Sequence, residues 1–315
     1  MGDTLTTPDR GTVVRDPQRL SAEDTVQREK VTHVITRPEV PTRILSGLTV
    51  TIQAQRSTIP HAHQDSETIA HLVDGDTTTV WPGGAAPLSD ADGGMVYLPA
   101  GTPHSAISDH GGLLTEVRTD PWGNADVQLH RQSTPDIGPS GEALLDDGPA
   151  SGYRVVPGTR HTTSGGDKQG PAYRALISSV VAPVHTLSAG RLDLPPGGRV
   201  DHVWVHRRTE RILYCAAGTL GLFCGDQLRP RVLDEGAFFW SCPQVPYLIV
   251  NLSTTEPARA FEYRTDPHFD RDLFLVTGLT SQDTERRIQR LRDITRAKTA
   301  PLSPPLRRRN TVEGS

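Results

Sequence analysis

The sequence predicts an all-β protein built as two tandem barrels closed by a C-terminal helix. Three observations carry this. Glycine (29) and proline (26) are abundant while aromatics make up only 5% of the 315 residues, the composition of a turn-rich β chain. Apolar residues alternate with polar ones in stretches such as Leu48-Thr-Val50-Thr-Ile52, the period of a strand with one buried face. The second half also repeats the first: His61-Ala-His63-Gln-Asp-Ser-Glu67 aligns with Trp204-Val-His206-Arg-Arg-Thr-Glu210 at a constant offset of 143. The same offset takes Gly75 to Gly218, Gly93 to Gly236, Pro103 to Pro246 and His104 to Tyr247. Glu116-Val-Arg-Thr-Asp-Pro121 recurs as Glu262-Tyr-Arg-Thr-Asp-Pro267, now offset by 146. One register held over more than forty residues indicates an internal duplication.

In chain order, residues 1–30 are polar and read as a mobile arm, and 31–131 form the first barrel. Residues 68–81 suggest a hairpin around Asp74-Gly75, a strong turn dipeptide. Residues 132–170, rich in Ser, Gly, Pro and Asp, read as a linker, and 171–275 as the second barrel. Residues 276–315 hold an amphipathic helix over 282–298 and a disordered tail. Ser281 is placed to cap that helix, and Ile288, Leu291 and Ile294 share its apolar face. The face would lie on the barrels or at a subunit contact, which admits a homodimer.

Bulk properties narrow the function classes. A net charge of −4 gives no reason to expect nucleic acid or an anionic membrane as a partner, and no apolar run is long enough to span a bilayer. The three cysteines, Cys215, Cys224 and Cys242, are too few and odd in number for a disulfide framework, so small buried residues are their default reading and a cytoplasmic location is expected.

The chemistry concentrates in residues 57–104. His61 and His63 are two apart, so on a strand they face the same way, and Glu67 shares their parity if the strand continues or is re-entered after a bend. His104 follows a Pro-x-Gly turn on a distant strand. Three His and a Glu are N/O donors suited to a divalent transition metal.

These residues resemble the cupin superfamily: His-x-His-x3-Glu is matched by His61, His63 and Glu67, and Gly-x5-Pro-x-Gly-x2-His by Gly93, Pro99, Gly101 and His104. The resemblance covers roughly residues 40–121 and 185–267, so the chain is identified as a bicupin with jelly-roll barrels. It implies a single metal held by His61, His63, Glu67 and His104, with Fe(II) favoured over Mn, Zn, Ni, Co or Cu. Two departures stand out. The glycine after Glu67 follows at Gly75, one residue later than the pattern, and Ser108 replaces a frequent Asn. A one-residue slip after Glu67 would reverse the faces of every following side chain.

The halves differ chemically. Trp204 and Tyr247 replace His61 and His104, so the second barrel is read as a metal-free structural unit, with a remade site from His202, His206 and Glu210 as the lesser alternative. Tyr247 is expected to hydrogen-bond His206 or Glu210. His71, whose twin is Tyr214, is unique to the first half and shares parity with Glu67, which makes it a candidate general acid/base or hydrogen-bond partner of a ligand, with a hydrogen-bonded core histidine as the alternative. Glu116 and Arg118 have twins in the ligand-poor half and are assigned to the fold or the domain interface rather than to substrate. Asp65 is expected in solvent, and Trp81 and Tyr97 in barrel packing.

Four protein ligands on an octahedral ion would leave two adjacent positions for a small polar metabolite and dioxygen. The leading expectation is therefore a metal-dependent oxygenase. A redox-neutral isomerase, lyase or other bond-rearranging enzyme comes second, and a non-catalytic ligand-binding bicupin third.

Overall fold

The computed structural model describes residues 11–25, 30–82, 84–88, 94–123, 127–129, 154–156, 172–269, 271–277 and 282–299. Gly93, Ser281, nearly all of the 132–170 segment and the residues after 299 lie outside this set.

Two β-barrels stand side by side, with equivalent strands. In the first, one sheet runs in the order Arg154–Val156, Met95–Leu98, Thr68–Gly75, Gly112–Arg118, Ser46–Ile52, Lys30–Ile35, Glu23–Asp24. Its partner sheet runs Arg56–Ser57, Ser105–Ser108, Thr77–Trp81, Gly84–Leu88, and the short pair His61–His63 with Val127–Leu129 lies apart. In the second barrel one sheet runs Thr12–Arg15, Phe238–Ser241, Arg211–Ala217, Ala258–Arg264, Ser188–Leu194, Ala172–Ile177. The other runs Arg229–Asp234, Thr219–Cys224, Tyr247–Asn251, Val203–His206, Leu273–Val276.

Three expectations need correction. Within the predicted arm, Thr12–Arg15 is an edge strand of the second barrel, paired with Phe238–Ser241, and Glu23–Asp24 pairs with Lys30–Val31. At four residues Thr12–Arg15 is too short to show a strand period in the sequence, yet Val13 packs on the shared core and Val14 on the second barrel's core. The predicted 68–81 hairpin is instead a crossing: Thr68–Gly75 and Thr77–Trp81 belong to different sheets. Gly75 (φ +80°) turns the chain between them, and Gly218 (φ +79°) does the same in the second barrel. A Cβ at Gly75 would lie 2.0 Å from the Gly111 carbonyl oxygen, so glycine is required there for space as well as for φ. On the helix Gln282–Thr299, Ile288 is buried in the second barrel's core and Leu291 packs beside it, but Ile294 is exposed. The apolar face is one residue shorter than its period suggests.

Strand alternation sorts the side chains into three cores. Ala70, Leu72, Val96, Leu98 and Leu114 fill the first barrel, and Leu213, Cys215, Phe239 and Leu248 the second. The opposite faces of the same strands meet in a shared core: Ile69, Met95, Tyr97 and Val117 from the first barrel pack with Ile212, Tyr214, Trp240, Phe261 and Tyr263 from the second. Each such buried side chain stabilises by roughly 1.5–3 kcal/mol, so the barrels are held as one unit.

Candidate metal centre

His61 and His104 are brought together by backbone, not by their side chains. His61 N–H donates to the His104 carbonyl at 2.9 Å and His104 N–H to the His61 carbonyl at 2.8 Å, an isolated antiparallel bridge. Gly101 (φ +75°) makes the preceding turn, and its N–H donates to the His63 carbonyl at 2.7 Å. The motif glycine therefore serves to deliver His104 to the two other histidines. One ring nitrogen from each of His61, His63 and His104 lies within 4.8 Å of the others, and all three residues are buried.

The tautomers of two of them follow from their neighbours. His61 Nδ1 is 2.8 Å from the Ile59 carbonyl oxygen and His104 Nδ1 is 3.0 Å from that of Thr102. A carbonyl can only accept, so each Nδ1 carries the proton and each Nε2 carries the lone pair. Burial first, then the neighbouring His63, lowers the His61 pKa to about 4; burial and then His61 lower that of His104 to about 3. Both are neutral near pH 7. Neutral, oriented imidazoles are the form that binds metal, and nitrogens bound to one ion at about 2.0–2.1 Å are roughly 3–4 Å apart. The donor set fits a divalent ion.

Glu67 does not join them. The strand that carries His61 and His63 ends at His63, the chain bends, and the next strand starts at Thr68, so Glu67 emerges on the far side of the sheet. There its carboxylate accepts from the backbone N–H groups of His185, Thr186 and Leu187 at 2.7, 2.8 and 2.8 Å and from the Tyr97 hydroxyl at 2.5 Å. Its twin does the reciprocal thing. Glu210 accepts from the N–H groups of Arg43, Ile44 and Leu45, from Thr42 Oγ1 and from Trp240 Nε1. Each barrel thus offers a carboxylate to three consecutive backbone amides of the other, related by a pseudo-twofold. Glu210 is therefore also absent from any remade second site, and His202 is exposed.

His71 is likewise on the interface face. Its ring lies 3.9 Å from that of Phe261, its Nδ1 is 3.4 Å from Thr115 Oγ1, and it is buried in the shared core. Having the parity of Glu67, it left the barrel interior with Glu67. Burial, then Arg259 and Arg191, lower its pKa to about 3, well under its unfolded value near 6.5. A group with a depressed folded pKa that is neutral when buried contributes stability above 6.5, which is lost as pH falls from 6.5 to 3. His71→Leu should flatten that loss by up to about 1.4 kcal/mol per pH unit, read from denaturant midpoints between pH 7 and pH 5.

The carboxylate that does approach the triad is Glu116. It pairs in register with Ala70 and Leu48, so it faces the first barrel's interior. Arg118 Nε donates to it at 3.1 Å and Nη2 at closer range, while Arg118 Nη1 donates to the Gly123 carbonyl. Burial alone would raise the Glu116 pKa, but the Arg118 guanidinium, by its charge and its hydrogen bonds, holds it below the usual carboxylate range. The matched Glu-x-Arg in both halves was the available signal. It marks a pair that both barrels keep at their centres, not one at the interface. Asp65 is exposed and Trp81 is packed in the first barrel, as expected, whereas Tyr97 serves the shared core and Glu67.

In the second barrel, Trp204 and Tyr247 are bridged in the same register as His61 and His104. Tyr247 Oη lies 3.1 Å from His206 Nε2, the first of the two partnerships expected for it. Cys215 and Cys224 are buried and Cys242 partly so, all as free thiols.

The fold is bicupin-like: two tandem jelly-roll barrels, the first holding a three-histidine cluster. No family model and no curated protein matches the chain by sequence. Solved structures match it in fold. Lactobacillus farciminis oxalate decarboxylase in a formate complex is 15% identical, covers 86% of this chain and 89% of its own, and superposes with a TM-score of 0.64. Procruciferin, an 11S globulin from Brassica napus, is 11% identical with coverage of 86% and 88% and a TM-score of 0.63. The E. coli protein YlbA is 12% identical with coverage of 84% and 94% and a TM-score of 0.59. At these identities the likeness is one of fold. Among the described residues, no helix is long and apolar enough to cross a membrane.

Proposed function

We propose that the first barrel is the active site of a metal-dependent enzyme acting on a small polar metabolite. One observation carries this reading: the three ligand-capable nitrogens gathered within 4.8 Å, two of them oriented by backbone carbonyls. His61, His63 and His104 would hold the ion. Once bound, a divalent ion supplies Lewis acidity and open positions for a chelating substrate and dioxygen. With three protein ligands in place of the four expected, more of the ion's coordination sphere is left to those partners. That favours oxygenase chemistry, with Fe(II) as the leading metal.

The chain's own residues do the rest. Arg118 fixes the Glu116 carboxylate beside the histidines and keeps it ionised, so Glu116 can accept a proton from a bound substrate. Glu116→Gln should lower turnover by about 10²–10⁴-fold while metal content per chain is unchanged. Loss of metal with the same substitution would instead make Glu116 a ligand.

A second reading, redox-neutral bond cleavage or rearrangement, draws support from the structural likeness to oxalate decarboxylases. Elemental analysis of purified protein, followed by oxygen uptake with candidate hydroxy and keto acids, separates the two. Iron with oxygen uptake supports the first. Turnover without oxygen uptake supports the second. Protein free of metal, and unable to take up iron, manganese or zinc, would overturn both and leave a non-catalytic bicupin, the 11S globulins being bicupins of another kind.

A further inference from the structure

The centre of the second barrel has changed sign. Arg211 stands at the place of Thr68, by the 143 offset and by register: Thr68 lies opposite Leu98 and Arg118, Arg211 opposite Ser241 and Arg264. A buried neutral hydroxyl of the first barrel has become a guanidinium in a barrel that lacks two of the three histidines. Arg211 is only 1% exposed. Its Nε donates to Ser241 Oγ at 2.8 Å, Nη1 reaches Glu262 Oε1 at 3.4 Å, and its guanidinium carbon lies 3.1 Å from the centroid of the Tyr247 ring. Nη2 is buried with no hydrogen-bond partner among the described residues.

Glu262 cannot neutralise this group alone, because it is already engaged. Arg264 Nε donates to the same Oε1 at 2.8 Å, and the Tyr173 hydroxyl donates to Oε2. Glu210, the residue just before Arg211, is committed to the amides of residues 43–45 on the far side of the sheet. His206 is buried, and burial together with Arg264 and Arg211 keeps it neutral. Among the described residues, the Arg211 and Arg264 guanidinium groups therefore share one carboxylate, that of Glu262. A buried guanidinium that must share its only carboxylate partner with a second guanidinium, with an N–H left over, is an unfavourable arrangement that a bound anion relieves.

We propose that the second barrel binds a small monovalent anion, a carboxylate of the size of formate or a halide, against Arg211 Nη2. Tyr247 and Phe239, whose rings flank the guanidinium at 3.1 and 5.4 Å, restrict the ligand to small ions. The first barrel is built to hold a cation and its duplicate an anion, on one scaffold. The anion site does not depend on what the first barrel catalyses.

Crystals of the full chain soaked in bromide test the site directly. An anomalous peak within hydrogen-bonding reach of Arg211 Nη2 is expected; its absence overturns the proposal. In solution, thermal unfolding at fixed ionic strength, with formate or chloride replacing a bulky organic anion, should raise the midpoint by about 3 °C in the wild-type chain. Arg211→Met should abolish that increment, and an increment that persists in Arg211→Met places the anion elsewhere and also overturns the proposal. Should that variant not fold, the bromide peak in the wild-type protein decides. Chloride-35 line broadening then separates the two ligand classes: displacement by formate identifies a carboxylate site, displacement by bromide alone a halide site.

Discussion

Replacing Glu67 by Ala is expected to cost about 3–5 kcal/mol of stability while leaving the metal content of the chain unchanged. The carboxylate is 5% exposed and accepts four hydrogen bonds, three of them from successive backbone amides of the other barrel. Removing it leaves the N–H groups of His185, Thr186 and Leu187 without their acceptor at the seam between the barrels, where Leu187 is fully buried. The Tyr97 hydroxyl loses its partner as well, though it retains a longer contact to the Pro183 carbonyl at 3.3 Å. Glu67→Gln keeps the shape but not the charge, and one of its two terminal atoms becomes a donor facing donors, so an intermediate loss is expected. Glu210→Ala should cost a similar amount, since its carboxylate meets the amides of residues 43–45 in the same way. Denaturant unfolding of the three variants, together with elemental analysis of each, makes the check. A Glu67→Ala protein of wild-type stability that has lost its metal would put Glu67 back among the ligands.

The duplication was legible because both halves keep the same spacing of turns, and the two barrels follow from it. The three histidines were legible for a similar reason: a strand's period of two fixes His61 with His63, and the Pro-x-Gly turn fixes where His104 arrives. What misled was parity carried across a bend. Residues 64–67 are not strand, so Glu67 and His71, two steps further along in the same phase, both fell on the opposite face. The sequence contains a hint of this, since Glu210 survives in a barrel that has lost two of its histidines. A residue retained where its supposed ligand partners are gone is serving something the halves share, here the interface between them. The same reasoning applied to Glu116 left the fold and the interface open, and of the two the pair serves the barrel interior, as Glu262 does with Arg264. Retention in both copies says that a role is common. It does not say which face of the sheet the role is on. Nor could spacing reveal Arg211, which is one arginine among many until the fold sets it where Thr68 stands.

The second large effect is expected at His104. His104→Ala should lower metal affinity by at least about 100-fold, so that the variant purifies with little bound metal and shows correspondingly little turnover. The fold should survive, because the contact that docks this strand on the next is made by the main chain: His61 N–H to the His104 carbonyl and His104 N–H to the His61 carbonyl. The deleted imidazole is neutral in the folded chain, its pKa lowered to about 3 by burial and by His61, so its loss leaves no stranded charge behind. The Thr102 carbonyl loses the donor on Nδ1, a cost of about 1–3 kcal/mol against which most of the barrel is unaffected. The second barrel supplies the natural control. Tyr247 occupies the equivalent bridge, and Tyr247→Ala should destabilise through lost packing without changing the metal bound per chain. Metal titrations of the two alanine variants side by side therefore separate a ligand from a packing residue at the same place in the same fold. If His104→Ala binds metal as the wild type does, the three-histidine centre is wrong. If Tyr247→Ala loses it, the second barrel holds the ion.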